Sequence, residues 1–72
     1  MNQRKREEGI CGLLATLSPN QRVNEIVVDG FSESVFRFIN FEEDTHLAYF
    51  REELGGLVVA DCRRISLIDF PA

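Results

Sequence analysis

The sequence predicts a mainly β protein: a five-stranded antiparallel small barrel preceded by a short helix. Three observations lead there. Short runs rich in β-branched and aromatic residues recur at roughly ten-residue spacing between positions 21 and 70, each bounded by turn residues. Ahead of them, Ile10, Leu13, Leu14 and Leu17 form an apolar stripe at helical spacing. A chain of 72 residues supports one small core, so five strands in so short a span must curl around it.

Residues 1–8 read as a flexible polar arm and residues 9–72 as a single domain. The helix is expected over about residues 9–18 and stops at Ser18-Pro19-Asn20, because the residue before a proline avoids the helical region. Gly9 and Gly12 weaken it, so it needs packing to persist; strand pairing of part of this stretch is the alternative. The first strand is expected over 23–28, ending at the turn signal Asp29-Gly30. The second covers 34–41. There Phe36 and Phe38 share one parity and Ile39 and Phe41 the other, the signature of a bent or bulged strand. Glu42-Glu43-Asp44 is too charged to bury and makes the next turn, followed by a third strand over 46–51. Glu52-Glu53-Leu54-Gly55-Gly56 is a hairpin loop with glycine available for positive φ. The last two strands are 57–60 and 65–68, separated only by Asp61-Cys62-Arg63-Arg64.

Charge and cysteine content narrow the function classes. The net charge is −4, and residues 9–72 carry five arginines against ten acids. Such a surface repels phosphate on average, which argues against general nucleic-acid binding but leaves room for a local arginine-lined rim. Cys11 and Cys62 lie far apart with no metal-ligand spacing around them. They read as two reduced, mostly buried thiols of a cytoplasmic protein, with a single bridge as the alternative. With neither metal nor disulfide framework expected, self-association becomes the favoured source of extra burial. No apolar stretch is long enough for a membrane span, and the basic start Arg4-Lys5-Arg6 runs straight into Glu7-Glu8, unlike a signal peptide.

A short helix followed by bent antiparallel strands, with Phe41-Glu42-Glu43-Asp44-Thr45-His46-Leu47 between the second and third, resembles the Sm-like members of the SH3-like small-barrel superfamily. In that family the corresponding loop reads apolar-Asp-x-x-x-Asn-apolar. Here Glu42 stands in the Asp place and His46 in the Asn place. Asp61-Cys62-Arg63-Arg64-Ile65 occupies the slot of the family's second polar turn, without its glycine. The resemblance implies a ring of identical subunits whose pore-facing loops hold single-stranded RNA, with His46 stacking on a base and Arg63 and Arg64 contacting phosphate.

Each candidate residue also has a plainer reading. His46 can be a surface residue at a turn, and Arg63 and Arg64 can pair with Asp61, Asp69 or a neighbouring subunit. Glu42, Glu43 and Asp44 lack calcium-loop spacing and read as a solvated turn. Tyr49, Phe36, Phe38 and Phe50 read as core rather than an aromatic cage. No nucleophile–base pairing, metal constellation or phosphate loop is visible, so no enzymatic activity and no cofactor are expected. The expected function is a non-enzymatic homo-oligomer, in ring form, with single-stranded RNA at His46, Arg63 and Arg64. Its subunits would meet through Leu57, Val58, Val59, Ile65 and Leu67 on the edges of the last two strands. The alternative is an acidic SH3-like adaptor that docks a basic protein.

Overall fold

The computed structural model describes residues 9–72. The polar arm expected over residues 1–8 lies outside the described residues. The domain is mainly β, with one short helix, α1 (Gly9–Leu14), and six strands in two antiparallel sheets. The strands are β1 (Glu25–Val28), β2 (Phe31–Ser34), β3 (Arg37–Glu42), β4 (Leu47–Arg51), β5 (Leu57–Asp61) and β6 (Ile65–Asp69). One sheet has the order β2-β1-β6 and the other β3-β4-β5.

This corrects the expected strand count. The run expected over 34–41 is β3, and before it lies a strand the sequence did not announce, β2, in the other sheet. Asp29 (φ 53°) and Gly30 (φ 85°) form a two-residue hairpin loop, with Val28 opposite Phe31. Positive φ at both positions is what a type I′ turn requires. The returning strand β2 (Phe-Ser-Glu-Ser) is exposed along its whole length, so no buried face announces it in the sequence. Val35 and Phe36 then carry the chain across to the other sheet. The Val35 N–H donates to the Asn24 carbonyl at 3.2 Å, and the Phe36 N–H to the Arg51 carbonyl at 2.8 Å. Residues 20–23 follow the start of β3, with Asn20 N–H donating to Phe38 O (2.8 Å) and Val23 N–H to Phe36 O (3.0 Å).

The bend foreseen from the parity change is present. The β3–β4 register slips between Phe38 and Asn40, leaving Ile39 as the extra residue. That slip lets Phe38 enter the core on one side and Phe41 pack against it on the other. His46 is not the first residue of β4; it closes the β3–β4 turn with φ 64°. Phe38 and Phe50 lie directly opposite each other and meet edge to face, with ring centroids 5.8 Å apart. With Leu14, Val23, Ile26 and Cys62 they are the largest fully buried side chains.

The helix is shorter than its sequence pattern because its last turns loosen. The Thr16 N–H reaches back three residues to Leu13 O, and the Thr16 hydroxyl donates to the same carbonyl at 2.8 Å. Its inward face is Ile10, Cys11, Leu14 and Leu17, while Leu13 is turned outward. Cys11 takes Leu13's place for a covalent reason.

Cys11 and Cys62 form a disulfide, with Cα atoms 5.1 Å apart across 51 residues of sequence, and no free cysteine remains. The expectation of two reduced thiols is therefore overturned. Cys62 opens η1 (Cys62–Arg64), a single 3₁₀ turn between β5 and β6 that packs against α1. That contact brings together two positions with no local relation in the sequence. Closing a loop of this length restricts the unfolded chain by about 4 kcal/mol in the loop-entropy account. Reduction, or a Cys11→Ala/Cys62→Ala variant, should lower stability by about that amount. Urea unfolding with and without a thiol reductant, on wild type and variant, measures it: the wild type alone should respond to reductant.

Candidate functional site

Both sheets end in a strand with one open side. Among the described residues β5 pairs only with β4, and β6 only with β1. Strand β5 reads Leu-Val-Val-Ala-Asp and carries no charge before its last residue. Leu57 and Val59 point outward, 58% and 45% exposed. On β6, Leu67 is 47% exposed. A groove of about 420 Å³ runs beside β5, walled by Val28, Glu33 and Leu57 to Ala60 and closed at one end by Asp29 and Arg64. An uncharged, unbulged edge next to open space is a template for another strand.

Of the five positions expected to meet a neighbouring subunit, the structure turns three outward: Leu57, Val59 and Leu67. Val58 is half-buried against the core, and Ile65 is buried at 4%. Ile65 is corrected to a core residue, because the 3₁₀ turn before it delivers its side chain inward opposite Val28.

His46 and Arg63 are brought together around Asp61; Arg64 is sent elsewhere. The backbone carbonyl of His46 accepts from Cys62 N–H at 2.8 Å. Asp61 caps η1, its Oδ1 accepting from the Arg63 backbone N–H at 2.8 Å. The same carboxylate receives the Arg63 fork, Nε to Oδ1 at 2.9 Å and Nη2 to Oδ2 at 2.6 Å. Arg64 reaches across to the β1–β2 turn, Nε to Asp29 Oδ1 at 3.1 Å and Nη2 to Oδ2 at 2.7 Å. Asp29, not Asp69, is its partner. Both guanidiniums expected to meet phosphate are thus each held by a carboxylate of their own chain. Any ligand anion there competes with a fork already filled.

The acidic turn lies at the far end of β3. Glu42 accepts hydrogen bonds from Thr45 and Tyr49 hydroxyls, each at 3.1 Å. The bond to Glu42, helped by burial and by that residue's charge, holds the Tyr49 hydroxyl above its ordinary pKa. Beside this turn, a groove of about 620 Å³ is floored by Leu14, Leu17, Phe38 and Phe41 and edged by Glu43 and Asp44. Phe38 and Phe50 are core, as their plainer reading had it, whereas Phe36 is only half-buried and carries two arginines over its ring. Those arginines, Arg22 and Arg37, were not distinguished by any sequence motif. Only the strand register groups them. Among the described residues no cluster of His, Cys, Asp or Glu is placed to hold a metal ion, and no helix is long and apolar enough to cross a membrane.

The Arg63 side chain and then its backbone N–H, with the charges of Arg63 and His46 adding, hold the Asp61 carboxyl well below the usual range. A depressed folded-state pKa stabilises the fold above the unfolded value near 4 and is lost as pH falls below it. Asp61→Asn should therefore lower stability at neutral and alkaline pH, flatten the acid limb, and converge with wild type as the pH falls well below 4. Thermal unfolding between neutral and acid pH checks this; an unaltered acid limb refutes it. No family model, curated protein or solved structure matches this chain.

Proposed function

We propose that this chain is a non-enzymatic small-barrel domain of the Sm/SH3-like kind that assembles with copies of itself, in a ring, and takes single-stranded RNA as its ligand class. The observation that carries the assembly is the open β5 edge, with Leu57 and Val59 exposed and no charge before Asp61, no proline and no bulge to protect it. Supporting the barrel reading are the order of elements and the antiparallel pairing of β6 with β1, which brings the two ends of the β region together. In a ring, β5 of one subunit pairs with β6 of the next, so these two open edges cover each other and Leu67 gains an apolar neighbour. Heterologous contacts of this kind close when the rotation between subunits is right.

The disulfide bears on where such an assembly works. A buried bond of this kind persists in oxidising compartments and is rare in the cytosol. The cytoplasmic expectation rested on reduced thiols, so an oxidising compartment is the better setting for the bridged form. A second reading, the adaptor for a basic protein, draws on the acidic groove lined by Glu42, Glu43 and Asp44. It predicts a monomer or dimer whose basic partner protects that groove.

Mass in solution decides between them, by size-exclusion chromatography with light scattering at several dilutions. A stable species of more than two subunits is expected. Val59→Lys should convert it to monomer while changing subunit stability by no more than about 0.5 kcal/mol, since the side chain lies on the surface. Wild-type protein that remains monomeric or dimeric at every concentration would overturn the ring and leave the adaptor.

A further inference from the structure

Three of the five arginines in the described residues stand in one row. Arg22 is opposite Arg37 in an isolated antiparallel bridge, and Arg37 is opposite Arg51 in the β3–β4 register. Residues directly opposite on neighbouring antiparallel strands project from the same face, with Cβ atoms about 5 Å apart. The row therefore crosses three neighbouring chain segments over about 10 Å, given strand spacings near 4.8 Å.

Like charges placed opposite one another are destabilising, and proteins usually break such a row with a carboxylate. This chain has carboxylates in excess, yet none of the described ones lies within ion-pair distance of Arg22, Arg37 or Arg51. The carboxylates that do pair go to Arg63 and Arg64. What holds the row is neutral. The guanidinium carbons of Arg22 and Arg37 sit 4.4 and 4.9 Å from the centroid of the Phe36 ring. Arg37 Nη1 donates to the Asn20 carbonyl at 2.9 Å, and Arg51 Nη1 points to the Gly55 carbonyl at 3.5 Å. A π-face and two carbonyls orient guanidiniums without cancelling their charge. Each guanidinium keeps N–H groups beyond these contacts for an incoming oxyanion.

We infer that the Arg22–Arg37–Arg51 row, with Phe36 as its platform, is the surface on which this protein binds the phosphodiester backbone of single-stranded nucleic acid. This deepens the RNA part of the proposed function and rests on it, but moves the phosphate contacts away from Arg63 and Arg64. A row that crosses the strands suits a polymer carrying one charge per unit. Phosphate oxygens suit the guanidinium forks, three of which are presented side by side. The acidic remainder of the surface restricts the strand to this row, so affinity is modest and strongly dependent on salt.

The test is fluorescence anisotropy with a short labelled oligouridylate on the full, oxidised chain. Three phosphate contacts to a single strand predict a log–log salt slope of about −2, a loss of roughly twentyfold in affinity between about 50 and 200 mM salt. Arg22→Gln/Arg51→Gln spares Arg37, which braces Asn20, and should reduce that slope by about 1.4. Because it relieves like-charge pairs, this variant should unfold no earlier than wild type, so lost binding is not lost folding. Arg63→Gln/Arg64→Gln should keep the wild-type slope. If that second pair carries the slope instead, this inference falls while the RNA reading stands. If wild-type protein binds no oligouridylate at low salt, both fall. If poly-glutamate binds equally well and loses its binding in Arg22→Gln/Arg51→Gln, the row accepts carboxylate chains and its assignment to phosphodiesters is overturned.

Discussion

The Cys11–Cys62 bond is the constraint on which the rest of the structure leans. Two sheets of three strands each, with a six-residue helix, make a core of few large side chains. Cores of this size leave only a few kcal/mol after chain entropy. Helix α1 has neither the length nor the composition to persist alone, with Gly9 at φ 67° and Gly12 within it. Tethered to η1, it becomes a lid over one end of the core, and Leu14 can be fully buried beneath it. The bond thus does for a small chain what more apolar area does for a larger one.

How far the sequence disclosed this architecture follows from the range of each interaction. Asp29-Gly30 announced its turn because two consecutive positive φ values need those residue types. The bulge in β3 was legible because a slip of one residue changes which parity is buried. Strand β2 was not, since Phe31 to Ser34 bury nothing and are held by the hairpin alone. The disulfide was illegible for a different reason: its partners meet only after β5 has ended and η1 has turned under α1, a relation no local pattern encodes. The edge residues Leu57, Val59 and Leu67 were named together with Val58 and Ile65; strand alternation turns Val58 inward, and Ile65 is buried where the 3₁₀ turn leads into β6.

Arginines show the same division. Arg63 and Arg64 drew attention as a pair in sequence, but adjacency says nothing about neutralisation. Asp61 sits two residues before Arg63 and caps the same turn, so the fork was filled locally. Arg22, Arg37 and Arg51 are scattered along the chain, and only strand register lines them up. A net charge of −4 conceals such a row, because averages over a surface discard the spacing that decides whether a polyanion is attracted or repelled.

The two basic features also differ in what supports them. Arg63 and Arg64 ride on η1, the element that carries Cys62, so their positions depend on the staple. Asp29 and Asp61 anchor that turn to the β1–β2 hairpin and to β5, and the ion pairs, being solvent-screened, add little to stability. Their role is to fix a connection, and a residue that fixes a connection is poorly placed to release its partner for a ligand. The Arg22–Arg37–Arg51 row is built from the bend at Val35-Phe36 and the ladder between β3 and β4, segments that carry neither cysteine. Phe38 and Phe50, the largest side chains in the core, lie beside Arg37 and Arg51 in sequence and directly opposite each other, so the best-packed rung of the sheet adjoins the charged one. Rigid packing beneath and unneutralised charge above is the arrangement expected where a surface must hold a geometry that costs it stability.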